Sequence, residues 1–302
     1  MVTARYTARR CRSQARACER IRMKIAIIGV GLIGGSIALK LREKNFGAEF
    51  IGIDKSEIHL QEAQELGIID RFEDFENGIK NADLIITAIP VDATVKILPQ
   101  VLDLITDKQT VMDTGSTKSG IVEAIKNHPN RKRFVAFHPM WGTENSGPKA
   151  AQKESFAGRA AVICDREDSE QDALALVENI AKNLEMHLIY MNADAHDVHT
   201  AYISHISHIT SYALANTVLE KEREEDTIFQ LASSGFSSTV RLAKSHPEMW
   251  VPIFKQNKEN VLDVLNEHIT QLRKFKAALE KENYELLEEL IRNANKIRGI
   301  LK

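Results

Sequence analysis

Six residues, Gly29-Val30-Gly31-Leu32-Ile33-Gly34, join the apolar, β-branched run Lys24–Val30 to a stretch of helical periodicity, Ile33–Lys44. A G-x-G-x-x-G at a strand-to-helix junction admits few folds. Gly29 permits the tight turn, Gly31 lets the backbone approach a pyrophosphate, and Gly34 lets helix and strand pack closely. The amides of Leu32 and Ile33 open the helix, where the backbone favours negative charge. A second strand, Phe50–Asp54, ends in Asp54, twenty residues after Gly34. An acid there accepts bonds from the ribose hydroxyls of NAD and repels the extra phosphate of NADP. NAD is the expected cofactor, although Lys55 and Ser56 soften the discrimination. The plainer reading is a glycine turn that binds nothing.

The rest of the first half alternates in the same way. Asp83–Pro90, Thr110–Thr114, Arg133–His138, Gly158–Asp165 and Met186–Met191 read as strands, with helical stretches such as Ser56–Leu66 and Ser169–Asn183 between them. This predicts an α/β, doubly wound, mostly parallel sheet of Rossmann type. Beyond Asn192 no strand is expected. Four helical segments are, over Ala195–Lys221, Thr227–Ser234, Pro247–Ala277 and Glu282–Leu301. Leu262, Leu265, Ile269, Leu272 and Leu279 form a heptad-like stripe suited to packing within the unit or across a dimer. The expected division is therefore 23–192, a nucleotide-binding domain, and 193–302, an all-α dimerisation and substrate domain.

Residues 1–22 stand apart, with seven arginines against the single acid Glu19. They read as a disordered extension or an early start ahead of Met23, with a transit peptide as the alternative. Cys11 and Cys18 lie there, which leaves Cys164 alone in the folded part, without a disulfide or zinc pattern. A formal net charge of −2 offers no field for nucleic acid. No apolar stretch reaches membrane-spanning length. A cytoplasmic protein is expected.

Ligands of such sheets bind beyond the carboxyl ends of the strands. Ile89 and Pro90 end one strand and are expected to border the cofactor, though Ile89 also suits plain core. Asp113-Thr114-Gly115-Ser116-Thr117-Lys118 follows another. His138 leaves a third and leads into the polar loop Met140–Gly147. A neutral imidazole there can accept a hydroxyl proton while the carbon loses hydride; a satisfied strand-end histidine is the alternative. Farther on, His205 and His208 interrupt a mostly apolar helix face, with His196 and His199 one to two turns earlier. A metal site is a rival reading, but H-E-x-x-H and cysteine ligands are absent, so no metal is expected. Arg241 has the fork to hold a carboxylate, or is a solvated surface arginine.

In order, these pieces are the glycine turn, D-T-G-S-T-K (Asp113–Lys118), F-H-P-M-W-G-T-E-N-S-G (Phe137–Gly147), S-H-x-x-H (Ser204–His208), T-V-R-L-A-K-S-H-P-E-M-W (Thr239–Trp250) and N-K-E-N (Asn257–Asn260). The chain resembles the prephenate and arogenate dehydrogenases from Met23 to about residue 275. The resemblance implies a Rossmann domain, a helical dimerisation domain forming a homodimer through its C-terminal helices, and an active site between the domains. It implies NAD-dependent oxidative decarboxylation of prephenate to 4-hydroxyphenylpyruvate for tyrosine synthesis. Carried over by residue, His138 polarises the ring hydroxyl and Ser116 orients His138 and the substrate. His208 lies in the substrate pocket beside His205, and Arg241 binds a substrate carboxylate. Thr143 and Glu144 shape the side-chain end of the pocket, and Trp250 helps wall it. Glu144 or Asp226 would bear on prephenate against arogenate. The rivals are a β-hydroxyacid dehydrogenase, a class that uses a catalytic lysine in its helical domain where His138 and the serine–histidine helix carry the polar chemistry here, and a non-catalytic NAD-binding redox sensor, which leaves His138, His208 and Arg241 unexplained.

Overall fold

The structure is a computed structural model that describes residues 23–222 and 227–300. Residues 1–22, with Cys11 and Cys18, and Asp226 lie outside the described residues. Eight strands form one sheet: β1 (Met23–Ile28), β2 (Ala48–Ile53), β3 (Arg71–Phe72), β4 (Leu84–Thr87), β5 (Thr110–Asp113), β6 (Phe134–Pro139), β7 (Ala160–Cys164) and β8 (His187–Met191). Their spatial order is β3-β2-β1-β4-β5-β6-β7-β8. All neighbours pair in parallel except β6 and β7, so β7 and β8 run against the rest. The short strand β3 was not among the expected strands. With two residues it carries no period of its own to read.

Alternation along β1 builds two cores. Ile25 and Ile27 join one buried cluster with Phe50, Met112 and Phe137; Ala26 and Ile28 join another with Ile85, Val111 and Phe134. Successive side chains of a strand point to opposite faces. Helices cover both faces, which is why the central strands read as unbroken apolar runs. The chain order reverses between β1 and β4, the point at which doubly wound sheets open a crevice for ligands.

Packing divides the described residues into two compact units: 23–196 together with Ser245–Gln256, and 197–222 and 227–244 together with 257–300. The segment from Ser245 thus packs with the sheet-bearing unit, because Trp250 and Ile253 are buried in its second core. Thr117 Oγ1 also donates to Gln256 Oε1 at 2.8 Å. Among the described residues no strand follows Met191.

The helical half differs in detail from the sequence expectation. Pro247–Ala277 is two helices, Pro247–Gln256 and Lys258–Glu280, parted at Asn257. Asn257 leaves helical geometry there (φ −103°, ψ 28°). Thr227–Ser234 holds a short 3-10 turn, Ile228–Leu231, and the helix of that region is Ser234–Thr239. The last helix ends at Ala294 and gives way to a 3-10 turn. Ala201–His205 forms one π-helical turn directly before the helix Ile206–Glu222, a distortion that recurs at functional positions. Leu262, Leu272 and Leu279 are exposed apolar residues of the long helix Lys258–Glu280.

Candidate active site

The glycine turn shows why each glycine is where it is. Gly29 has φ +95°, and a Cβ on it would stand 2.4 Å from the Ala88 carbonyl oxygen. A Cβ on Gly34 would meet the Gly29 oxygen at 2.3 Å. Those two positions are closed by the protein itself. Gly31 is different: a Cβ there would meet no clash, with Gly147 N at an ordinary contact distance of 3.9 Å. Gly31 caps the helix Leu32–Glu43, whose first amides have no partner within the helix.

Gly31, Leu32 and Ile33 line a cleft of about 280 Å³ together with Ile89, Pro90 and Ser116. Its far wall comes from Asn145, Ser146 and Gly147, and from His246, Glu248 and Met249. Ser146 Oγ lies 3.4 Å from His246 Nε2, joining two parts of that wall. Asp54 stands at the end of β2. Its carboxylate accepts from Val30 N at 3.2 Å and Ser56 N at 2.9 Å, which anchors it to the glycine turn. Room beside Gly31, helix amides with no partner within the helix and a carboxylate nearby fit a dinucleotide: amides for its pyrophosphate, Asp54 for a ribose.

The second cluster is built on β5 and β6. The two strands pair only through Val111↔Phe134 and Met112↔Val135. Beyond that the Asp113 carboxylate takes over: Oδ1 accepts from Phe137 N at 3.1 Å and Oδ2 from Gly115 N at 2.8 Å. Lys118 Nζ also donates to Oδ2. This buried knot holds the loop bearing Ser116 and the strand bearing His138. His138 is buried, and its Nδ1 lies 2.8 Å from Nε2 of His196, itself buried in the first turn of the helix Ala193–Thr200. The rings meet edge to face at 68°. The sequence reading noted His196 but gave it no role. Nothing in the local pattern pairs it with a residue 58 positions away.

Three other expected residues belong to the same unit. Thr143 and Glu144 lie in the loop after β6, where Thr143 Oγ1 accepts from Asn145 N at 3.2 Å. Trp250 is buried against Phe254, with ring centroids 5.4 Å apart, in the second core.

The other unit holds its own polar network. Asn257 Nδ2 donates to the Asp197 carbonyl at 2.7 Å and to His205 Nδ1 at 3.1 Å, and Asn257 Oδ1 accepts from Asn260 at 2.7 Å. A carbonyl can only accept, so the amide orientation is fixed. His205 Nδ1 is therefore the acceptor, and the neutral ring carries its proton on Nε2. His208 has the opposite tautomer: Nδ1 donates to the Ser204 carbonyl at 3.1 Å. Burial, with a smaller push from the Arg241 charge, lowers His208 to about 4, so its ring is neutral at ordinary pH with Nε2 as acceptor. His208 and Arg241 are thus electrostatic neighbours. Asn257, quoted in the sequence only as part of N-K-E-N, is the residue that orients His205.

Among the described residues no group of three or more His, Cys, Asp or Glu is arranged to hold a metal ion. No described helix is long and apolar enough to cross a membrane.

Family comparisons agree along nearly the whole described chain. The model of the prephenate dehydrogenase nucleotide-binding domain matches residues 37–190, and that of the prephenate dehydrogenase dimerization domain matches 192–293. A prephenate dehydrogenase of Bacillus subtilis is 33% identical over 277 residues, 91% of this chain and 75% of that protein. A cyclohexadienyl dehydrogenase of Zymomonas mobilis is 28% identical over 280 residues, covering 92% of this chain and 96% of that one. The crystal structure of prephenate dehydrogenase from Aquifex aeolicus, in complex with hydroxyphenyl propionate and NAD+, superposes with a TM-score of 0.85 at 29% identity, over 93% of this chain and 98% of that one.

Proposed function

The chain belongs to the prephenate dehydrogenase family, and from that premise we propose that it oxidatively decarboxylates prephenate with His138 as the proton acceptor. The observation that carries the assignment to His138 is its place. It is a buried imidazole at the carboxyl end of β6, held by the Asp113 knot, with Nδ1 turned to His196.

NAD, held at the Gly29–Gly34 turn and Asp54, supplies the hydride acceptor when bound. The chain's own residues have three tasks. His138 takes the proton of the ring hydroxyl as that carbon is oxidised. The bond from the ring to its carboxylate then breaks, carbon dioxide leaves, and the released pair makes the ring aromatic. His138 returns the proton to the oxygen, leaving a phenol. Aromatisation drives the reaction, so the protein mainly positions groups and moves one proton.

Arg241 holds a substrate carboxylate through its guanidinium fork. His208, neutral with Nε2 as acceptor, and His205, with Nε2–H as donor, give the substrate one of each. Ser116 orients the substrate beside the cofactor, Thr143 and Glu144 shape the side-chain end, and Trp250 backs the wall. The protein acts as a homodimer through its C-terminal helices; the exposed leucines of Lys258–Glu280 support this.

The test is to assay purified protein with NAD on prephenate and on arogenate, following NADH fluorescence. Faster NADH formation on prephenate is expected. Cofactor binding without turnover of either substrate would leave a binding protein in place of an enzyme.

A further inference from the structure

An imidazole acting as a base needs one nitrogen stripped of its proton and aimed at the substrate. Which nitrogen that is depends on what the other one meets. For His138 the structure gives the other partner: Nδ1 lies 2.8 Å from Nε2 of His196. Two nitrogens at that distance share one proton. Nε2 of His138 is the nitrogen not turned toward His196.

The fold delivers His196 to this spot by a fixed route. β6 pairs with β7 through His138↔Val162, and β7 pairs with β8 up to Cys164↔Met191. The chain leaves β8 and starts a helix at once. Asn192 Oδ1 accepts from Ala195 N at 2.7 Å, and the Asn192 carbonyl accepts from His196 N at 3.0 Å. Asp165 ties the same turn down by accepting from Ala193 N at 3.1 Å. His196 is thus a buried ring on the first helical turn.

We propose that His196 is the positioning residue for His138: its Nε2 accepts the Nδ1 proton of His138 and leaves Nε2 of His138 to take the substrate proton. This rests on the reading of His138 as the proton acceptor. A neutral imidazole thereby stands where acyl-transfer triads place a carboxylate. It fixes tautomer and ring orientation and does less to stabilise the imidazolium, which suits a reaction driven by aromatisation.

The test uses the full-length protein labelled with ¹⁵N-histidine, with His138 identified by the signal lost in His138→Asn. Without substrate, the His138 ring should show a protonated Nδ1 and an unprotonated Nε2. In His196→Leu that pattern should be lost. Turnover of prephenate should fall roughly 10²-fold, with the KM values for prephenate and NAD within about twofold. His196→Gln, which offers an amide oxygen as acceptor, should recover most of the loss. A proton on Nε2 of His138 in the unaltered protein overturns the inference. So does an unchanged tautomer in His196→Leu, or a His196→Gln no better than His196→Leu. The tautomer is read without substrate, so failure of the unaltered protein to oxidise prephenate would strike the functional reading and leave this result to decide the inference.

Discussion

Lys118 and Asp113 form an ion pair in which neither side chain is exposed. The pair closes the loop that follows β5. The same carboxylate reaches across to Phe137 N, one residue before His138. Where β5 and β6 stop pairing, this one acid replaces the missing ladder contacts and ties Gly115, next to Ser116, to Phe137, next to His138.

Removing one partner of a buried pair costs far more than replacing both. Lys118→Met is expected to lower stability by about 3–5 kcal/mol, because it leaves the Asp113 carboxylate buried without its counter-charge. The double change Asp113→Asn with Lys118→Met should recover a good part of that loss. Urea unfolding of the three proteins measures both effects. A single-variant loss under about 1 kcal/mol would show that the pair is not a structural clamp.

Asp54 should decide the cofactor. Its carboxylate sits beside the glycine turn, where an acid would accept from a ribose and repel a 2′-phosphate. Asp54→Ser is expected to improve KM for NADP about 10-fold or more while raising that for NAD. An unchanged ratio between the two cofactors would move discrimination to other residues, Lys55 and Ser56 first.

His208 predicts an acid limb of stability. Burial first, then the Arg241 charge, hold its folded pKa at about 4 against an ordinary 6.5. Above pH 6.5 neither state binds the proton and the ring has no effect. As pH falls from 6.5 to about 4, the unfolded chain takes up a proton that the folded one refuses, so stability is lost across that window and levels off below it. The ring is partly exposed, so the loss should be on the order of 1–2 kcal/mol, less than the full shift implies. Denaturant unfolding of the unaltered protein and of His208→Gln at pH 7 and pH 4.5 measures it. Equal losses in both proteins would contradict the assignment.

Much of this was legible in the order of residues, and the gaps have physical causes. The glycine turn, Asp54 and the strands around them are local patterns, because a turn, a helix start and a strand end lie within about thirty residues of each other. The position of His138 was legible for the same reason, as a polar residue at the end of an apolar run. Its contact with His196 was not, because two intervening strands bring that residue back to β6. The break at Asn257 was hidden too. The flanking residues keep helical periodicity, and the asparagine leaves the helix while its amide serves a buried network with Asp197 and His205. The return of Ser245–Gln256 to the sheet-bearing unit rests on Trp250 and Ile253, apolar residues whose partners periodicity cannot name.

Replacing His138 bears most directly on the whole account. Steady-state oxidation of prephenate by His138→Asn should be slower than that of the unaltered protein by at least about 10²-fold, as expected on losing a positioned base, while NAD affinity measured by titration stays within about twofold. Turnover within threefold of the unaltered protein, with NAD bound normally, would contradict it and remove His138 from the chemistry.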